Sequence, residues 1–203
     1  MKNATIKLLI LVLLLFTLEK INSQTIISDT SELSEYFADR TTEAKNIIKI
    51  NVLSIFAGDL PIYYERVITK QFTLEAGVGI ILPFYVFEFS GLYSEEQIIT
   101  DPDGGYSFWF HPKIYFWRAP DEMYFGLQYR FRKYYENDMS VTYSDYSINY
   151  GYQWILGTHF VVDANIGLGF RVRNLPDDFD PWVEDYKKTT VVAPFGIKLG
   201  VLF

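Results

Sequence analysis

The chain contains no cysteine. That excludes disulfides, and it excludes a lipid anchor of the bacterial lipoprotein kind, so stability must come from hydrogen bonding and packing. An excess of positive charge is missing too. Lys and Arg together number 18 against 25 Asp and Glu, a net charge of −7. Nucleic acid is therefore not an expected partner, because phosphate binding needs clustered cationic side chains. No zinc-ligand spacing, phosphate loop or dinucleotide fingerprint occurs, so neither metal nor cofactor is expected. Long apolar runs are equally scarce. The longest, Leu8 to Leu18, is broken by Thr17 and falls short of the about 20 apolar residues that a spanning helix requires.

That run does have the form of an export signal. Lys2 and Lys7 supply a positive start, and small or polar residues follow the apolar stretch. Cleavage after Ser23 would leave Gln24 as the new N-terminus, making residues 1–23 a leader and sending the mature chain across the inner membrane. Residues 24–46 form a separate segment. Asp29 with Glu32 resembles a helix cap, and Leu33, Tyr36 and Phe37 share a face at helical spacing. The segment reads as a short amphipathic helix or a partly ordered tail in the periplasm. Residues 47–203 then suit one domain.

From Ile47 the hydrophobic period changes to two and stays there. Phe160, Val162, Ala164, Ile166, Leu168 and Phe170 alternate with Val161, Asp163, Asn165, Gly167, Gly169 and Arg171. In a strand these two sets point to opposite faces. Met123 to Arg132, Tyr146 to Trp154 and Val191 to Phe203 repeat the scheme. Weaker segments are Ile47 to Phe56, Ile62 to Ile68, Phe72 to Ile81 and Ser107 to Trp117, giving eight strands in all. Pro112 and Pro194 lie inside two of them, where a bulge or local break is expected because proline has no ladder donor.

Alternation alone also fits a soluble barrel or sandwich. Two features decide the direction. Glycines and charges share one side, including Gly77, Gly126, Gly151, Gly167 and Gly200 with Glu75, Arg130, Asp163 and Lys198. The opposite side is long and unbroken in large apolar residues. A charged, glycine-rich set suits a narrow interior, and the apolar set suits lipid. Connections also alternate in length: Thr69–Gln71, Arg118–Glu122 and Leu156–His159 are tight, whereas 82–106, 133–145 and 172–188 are long and polar. Only Ala57–Pro61 breaks that rule. Short periplasmic turns and long external loops are the outer-membrane pattern. Trp109, Trp117, Tyr134, Tyr150 and Trp154 fall where an interfacial aromatic girdle would sit.

The ending Gly-Ile-Lys-Leu-Gly-Val-Leu-Phe, residues 196–203, resembles the C-terminal β-signal of outer-membrane barrels. Phe203, Val201 and Leu199, with Gly200 between them, carry that likeness. It implies recognition by the barrel assembly machinery. The stretch from Asn51 through Tyr64-Glu65-Arg66 to the glycine-rich third strand is similar to small outer-membrane barrels of the Bacteroidetes type, a family without known activity. The resemblance implies an all-β, eight-stranded transmembrane barrel in the bacterial outer membrane, surrounded by its lipids. A protein partner would engage the loops or the N-terminal segment.

The inward set contains Glu65, Glu75 and Asp163 with Lys49, Lys113, Arg130, Arg132, Arg171 and Lys198. Buried charges must be paired, so these residues predict an ion network closing the lumen, with excess positive charge at the rim near Arg132 and Arg171. The competing reading is a proton or small-ion path. His111 shares the inward face, but no motif fixes a nucleophile and an orienting acid beside it. No catalytic residue is therefore assigned, and a lipid-modifying enzyme stands as the alternative. The acidic loops at Asp101–Gly105 and Asp177–Asp180 read as a turn and a solvated loop rather than calcium sites.

Overall fold

A computed structural model describes residues 45–83, 103–136, 139–174 and 189–203. The leader, nearly all of the 24–46 segment and most of two loops (84–102 and 175–188) lie outside the described residues. The strands are β1 (Asn46–Asn51), β2 (Asp59–Val67), β3 (Phe72–Ile81), β4 (Gly104–Tyr115), β5 (Glu122–Glu136), β6 (Met139–Leu156), β7 (Phe160–Asn174), β8 (Thr189–Val192) and β9 (Phe195–Leu202). A single helical turn, α1 (Val52–Phe56), follows β1. From β1 to β8 each strand pairs antiparallel with the next, and β1 closes the ring on β9. β8 and β9 both pair with β7 and are two pieces of one strand. The fold is the closed eight-stranded antiparallel barrel that the alternation predicts.

The ladder registers set the geometry. Stepping sideways from Ile48 leads through Tyr64, Ala76, Phe110, Tyr129, Tyr146 and Phe170 to Val191. Ile48 itself pairs with Val201, so the ring closes with a stagger of ten residues. With usual strand spacing and rise, that stagger tilts the strands by about 40° and leaves an interior that side chains can fill. One end of the barrel carries Asn46 and Phe203, here called the near end. The other, the far end, carries the longer connections.

Both prolines interrupt hydrogen bonding without shifting register. Phe110 pairs with Tyr129 and Lys113 with Gly126, while the two intervening positions on each strand are unpaired across that seam. Pro112 still pairs with Leu74 on its other side. Ala193 and Pro194 likewise separate β8 from β9, and the pairing with β7 resumes in the same frame.

Three expectations are corrected. The first strand does not reach Phe56: the Asn51 side chain accepts hydrogen bonds from the backbone N–H groups of Leu53 (3.1 Å) and Ser54 (3.3 Å), and this N-cap turns the chain into α1. Second, residues 133–145 are mostly not a loop. β5 and β6 pair as far as Glu136 and Met139. Their outward residues there, Lys133, Thr142 and Ser144, are polar because the strands have left the apolar band, so hydropathy alternation fades while pairing continues. Third, β4 ends at Tyr115, and Phe116 and Trp117 belong to the near-end turn.

The two faces are sharply divided. Outward positions carry large hydrophobic residues such as Ile62, Val78, Ile114, Leu127, Ile148 and Leu168, all more than half exposed. Among the described strand residues, the outward face bears charge only at Arg66, beside the near end, and Lys133, towards the far end. Inward positions hold the buried polar and charged residues, seven cationic and five acidic among those described.

Candidate functional site

The inward residues of β1, β2, β3, β4, β7 and β9 converge on one ion network. Glu65 (β2), Glu75 (β3) and Asp163 (β7) bring three carboxylate oxygens within 4.8 Å of one another. Two ammonium groups cap this triangle. Lys113 Nζ lies 3.0 Å from Glu65 Oε2 and 2.8 Å from both Glu75 Oε2 and Asp163 Oδ2. Lys49 Nζ contacts the same three oxygens, at 2.8 Å from Glu75 and Asp163, and closely at Glu65. Lys198 closes on the other oxygen of Glu75. Three negative and three positive side chains are thus gathered, all buried.

The remaining lone pairs are also used. Glu65 Oε1 accepts from Thr73 Oγ1 (2.5 Å) and from the Tyr115 hydroxyl (3.0 Å). Asp163 Oδ1 accepts from the Tyr124 hydroxyl (2.7 Å). Lys49 donates further to Gln153 Oε1 (2.7 Å), whose amide donates to the Pro120 carbonyl (2.7 Å) in the near-end turn. Balanced charge with every carboxylate oxygen bonded is what allows such a cluster to sit out of water. A divalent cation in the triangle would have to displace an ammonium group. Beside it, the His111 ring stands 3.6 Å from Glu75 and edge-on to Tyr124 at 5.9 Å.

Two smaller networks lie towards the far end. Arg130 donates to Asp59 (2.8 Å) and stacks 4.1 Å above the Trp109 ring, while Ser107 donates to the other Asp59 oxygen (2.9 Å). Asp145 is shared by Arg132 (2.7 Å) and Arg171, the latter through two bonds of 2.7 and 3.0 Å. Asp145 offsets only one of these two arginines, and Arg173 lies over the same Tyr143 ring as Arg171, so among the described buried residues positive charge exceeds negative there, as expected. Asp145 escaped the sequence reading because it fell in a segment taken as loop, and Asp59 because it fell in a turn. Period-two continuation past the apolar band was the signal available for Asp145. The predicted cationic and acidic residues therefore form three separate networks, not one.

The girdle assignment also needs revision. Trp109 and Tyr134 point into the lumen and are almost fully buried. Trp117 and Tyr150 are exposed on the outside. Ser107 binds Asp59 rather than meeting His111.

Four lumen glycines share one explanation. A bulky inward residue leans across each: Tyr63 over Gly77, His111 over Gly126, Tyr124 over Gly151 and the Lys49 stem over Gly200. In three of these cases the partners are directly opposed in the ladder. A prediction follows for Gly151→Val. Its side chain would collide with the Tyr124 ring, which cannot swing away without releasing Asp163. Denaturant unfolding of the refolded barrel should show a loss of at least about 1–3 kcal/mol. The outward Ala164→Val change, which meets no lumen group, should leave stability almost unchanged.

At the near end the lumen is closed by apolar packing. Ile47, Val161 and Leu202 form one buried cluster, and Tyr115, Ala119 and Tyr124 another. The interior thus holds salt-bridged and aromatic side chains in sequence along its axis.

No curated protein and no solved structure matches the chain. One family does, over residues 34–193, more than three quarters of the chain. The chain belongs to the DUF3575 family, described as a protein family of unknown function.

Proposed function

We propose that this protein is an integral barrel of the bacterial outer membrane, exported by its leader, with a closed lumen and a non-catalytic role. That role is structural, adhesive or accessory and is exerted through the far-end loops. One observation carries the reading: the barrel is inverted relative to a water-soluble one. Its outward face is a continuous belt of large apolar residues, far beyond the few hundred Å² that a soluble monomer usually exposes, while its charges face inward. On β6 the belt runs from Tyr146 to Trp154, close to the about 9–11 residues of a tilted membrane strand. Arg66 and Lys133 bracket it at the two ends. Ring closure through the β1–β9 pairing supports the same reading, since paired strands leave no backbone edge to face lipid there.

The orientation places the near end in the periplasm and the far end outside. Epitope tags at Asp103 and Asp178 should be detected on intact cells, and a tag at Asp121 only after permeabilisation. Surface signal from Asp121 would overturn the topology. Recovery of the mature chain in the soluble periplasmic fraction would overturn membrane insertion itself. Purified protein in a planar bilayer should show no steady conductance, because three ion networks and two apolar clusters fill the bore. Reproducible single-channel steps would instead favour a small-solute transport barrel.

A further inference from the structure

The near-end rim is charged on one side only. Lys45 stands at the start of β1, Arg66 on β2, Lys70 in the β2–β3 turn and Arg118 in the β4–β5 turn, and all four are exposed. Two acidic side chains share that sector among the described residues, Asp121 and Glu122, both half-buried. Asp121 is turned to the barrel, where it accepts from the Ile155 N–H (3.2 Å). The other near-end turn, 157–159, carries no Lys, Arg, Asp or Glu. Two of the cations are held on one locked surface, because their turns are bonded to each other. The Lys70 carbonyl accepts from Ala119 N–H (2.7 Å), the Gln71 carbonyl accepts from Tyr115 N–H (2.7 Å), and the Gln71 amide donates to the Phe116 carbonyl (3.2 Å). Lys70 and Arg118 therefore stand one residue apart across this junction, and neither forms an ion pair with any described residue. Arg66 is held too. Its Nη1 donates to Asn46 Oδ1 (3.1 Å), which also accepts from the Tyr64 hydroxyl (2.6 Å), and a neutral amide leaves the guanidinium charge uncancelled.

We infer that this sector binds the phosphates of anionic phospholipids in the leaflet at the near end. The inference rests on the membrane reading above and goes beyond it, because a barrel needs no headgroup preference to span a bilayer. Depth selects a lipid phosphate over a soluble acidic partner. Exposed apolar side chains interleave with the cations, Ile68 two residues before Lys70 and Trp117 next to Arg118. Ring contacts of 5.8 Å from Trp117 to Phe116, and 5.3 Å from Phe116 to Phe125, continue that surface into the apolar belt. Cations set among such side chains stand at the bilayer interface, with their stems along hydrocarbon and their heads at the phosphates. Charge selects the lipid. A zwitterionic headgroup brings its own ammonium into a sector where four cations already face two acids, whereas an anionic headgroup brings only the phosphate. The adjacent ammonium and guanidinium of Lys70 and Arg118 offer a point charge and a planar fork to its oxygens.

The test uses the full mature protein in vesicles of phosphatidylethanolamine containing a minor fraction of phosphatidylglycerol. Flotation with the vesicles establishes insertion, and native mass spectrometry then counts the lipids that stay bound on release. Phosphatidylglycerol should be retained several-fold above its share of the bilayer, and high salt before release should reduce the excess. Lys70→Gln combined with Arg118→Gln should return retention to the bilayer ratio. Lys70→Arg combined with Arg118→Lys, which keeps both charges, should preserve the excess, and so should Lys133→Gln towards the far end. Heat-dependent gel mobility shows each variant to be folded. Retention at the bilayer ratio in the unaltered protein, or an excess that survives the double Gln replacement, would overturn the proposal and leave membrane insertion standing. Displacement of phosphatidylglycerol by an equal concentration of soluble glycerol phosphate would overturn it in favour of a site for a free phosphate ester. Failure to float with the vesicles would overturn the membrane reading itself.

Discussion

Replacing Asp163 by alanine is expected to destabilise the barrel by about 3–5 kcal/mol, the usual cost of breaking a buried ion pair by removing one partner. The magnitude follows from what the carboxylate holds. One of its oxygens receives both Lys49 and Lys113 at 2.8 Å, and the other receives the Tyr124 hydroxyl at 2.7 Å. Removing it turns a balanced cluster of three acids and three ammonium groups into one with a surplus cation. Asp59 and Asp145 are already engaged by arginines. Two ammonium groups would then face each other with one fewer shared acceptor.

Asp163→Asn makes the mechanism testable. The amide keeps the shape and can still accept from Tyr124, but it leaves the same surplus charge. If charge balance governs stability, Asn should cost nearly as much as Ala. If packing and hydrogen bonding govern it, Asn should recover most of the loss. Equilibrium unfolding of refolded protein in bilayers distinguishes the two, and an Ala variant as stable as wild type would mean that water reaches the cluster. Exchanging the whole cluster for apolar residues is a different experiment. Such replacements are often neutral or stabilising elsewhere, so the network is better understood as closing the bore in one arrangement than as a net source of stability.

Much of this arrangement was legible from period-two alternation. Along β7 the apolar residues and the polar or glycine residues separate cleanly, and their faces in the barrel are those that the pattern predicts. The alternation works because the outward belt is apolar throughout, so every belt position is informative. Beyond the belt that constraint ends. Lys133, Thr142 and Ser144 face outwards in strands that simply continue past it, which is why residues 133–145 resembled a loop and Asp145 was missed. Trp109 was misread for a related reason. Aromatic residues suit both an interfacial girdle and the cover of a buried guanidinium, and hydropathy cannot separate the two. Parity could have done so, because Trp109 shares its face with His111 and Lys113. The pairing of particular charges was beyond sequence reading altogether. Which ammonium meets which carboxylate depends on the ten-residue stagger around the ring, a property of closure that no single strand encodes.

The last residue offers a way to separate assembly from stability. Phe203→Ala is expected to deplete folded barrel from the membrane of growing cells severely, with precursor or degraded chain in its place, and yet to leave the refolded barrel nearly as stable as wild type. The second half of this prediction follows from the geometry at the seam. The Phe203 backbone accepts from Asn46 N–H (3.0 Å) and donates to the Asn46 carbonyl (2.8 Å), so it forms the final rung between the first and last strands. Alanine keeps both bonds. Phe203 is 52% exposed on the outer face, so truncating its ring removes outward rather than core contact, a change within about 1–2 kcal/mol. The first half rests on the likeness of residues 196–203 to a β-signal, in which Phe203, Val201 and Leu199 lie on one face. In the barrel that face is the outward one, and before insertion it is the surface that an assembly factor would meet. Gly200 belongs to the opposite face and has a separate duty, making room for the Lys49 stem. Deleting Phe203 outright should differ from Phe203→Ala, because it also removes the two backbone bonds and should lower the unfolding free energy in vitro. If Phe203→Ala accumulates normally in membranes, the aromatic ending is only the end of a strand. If it fails in cells and also unfolds readily after refolding, the ring contributes to the barrel itself, and recognition need not be invoked.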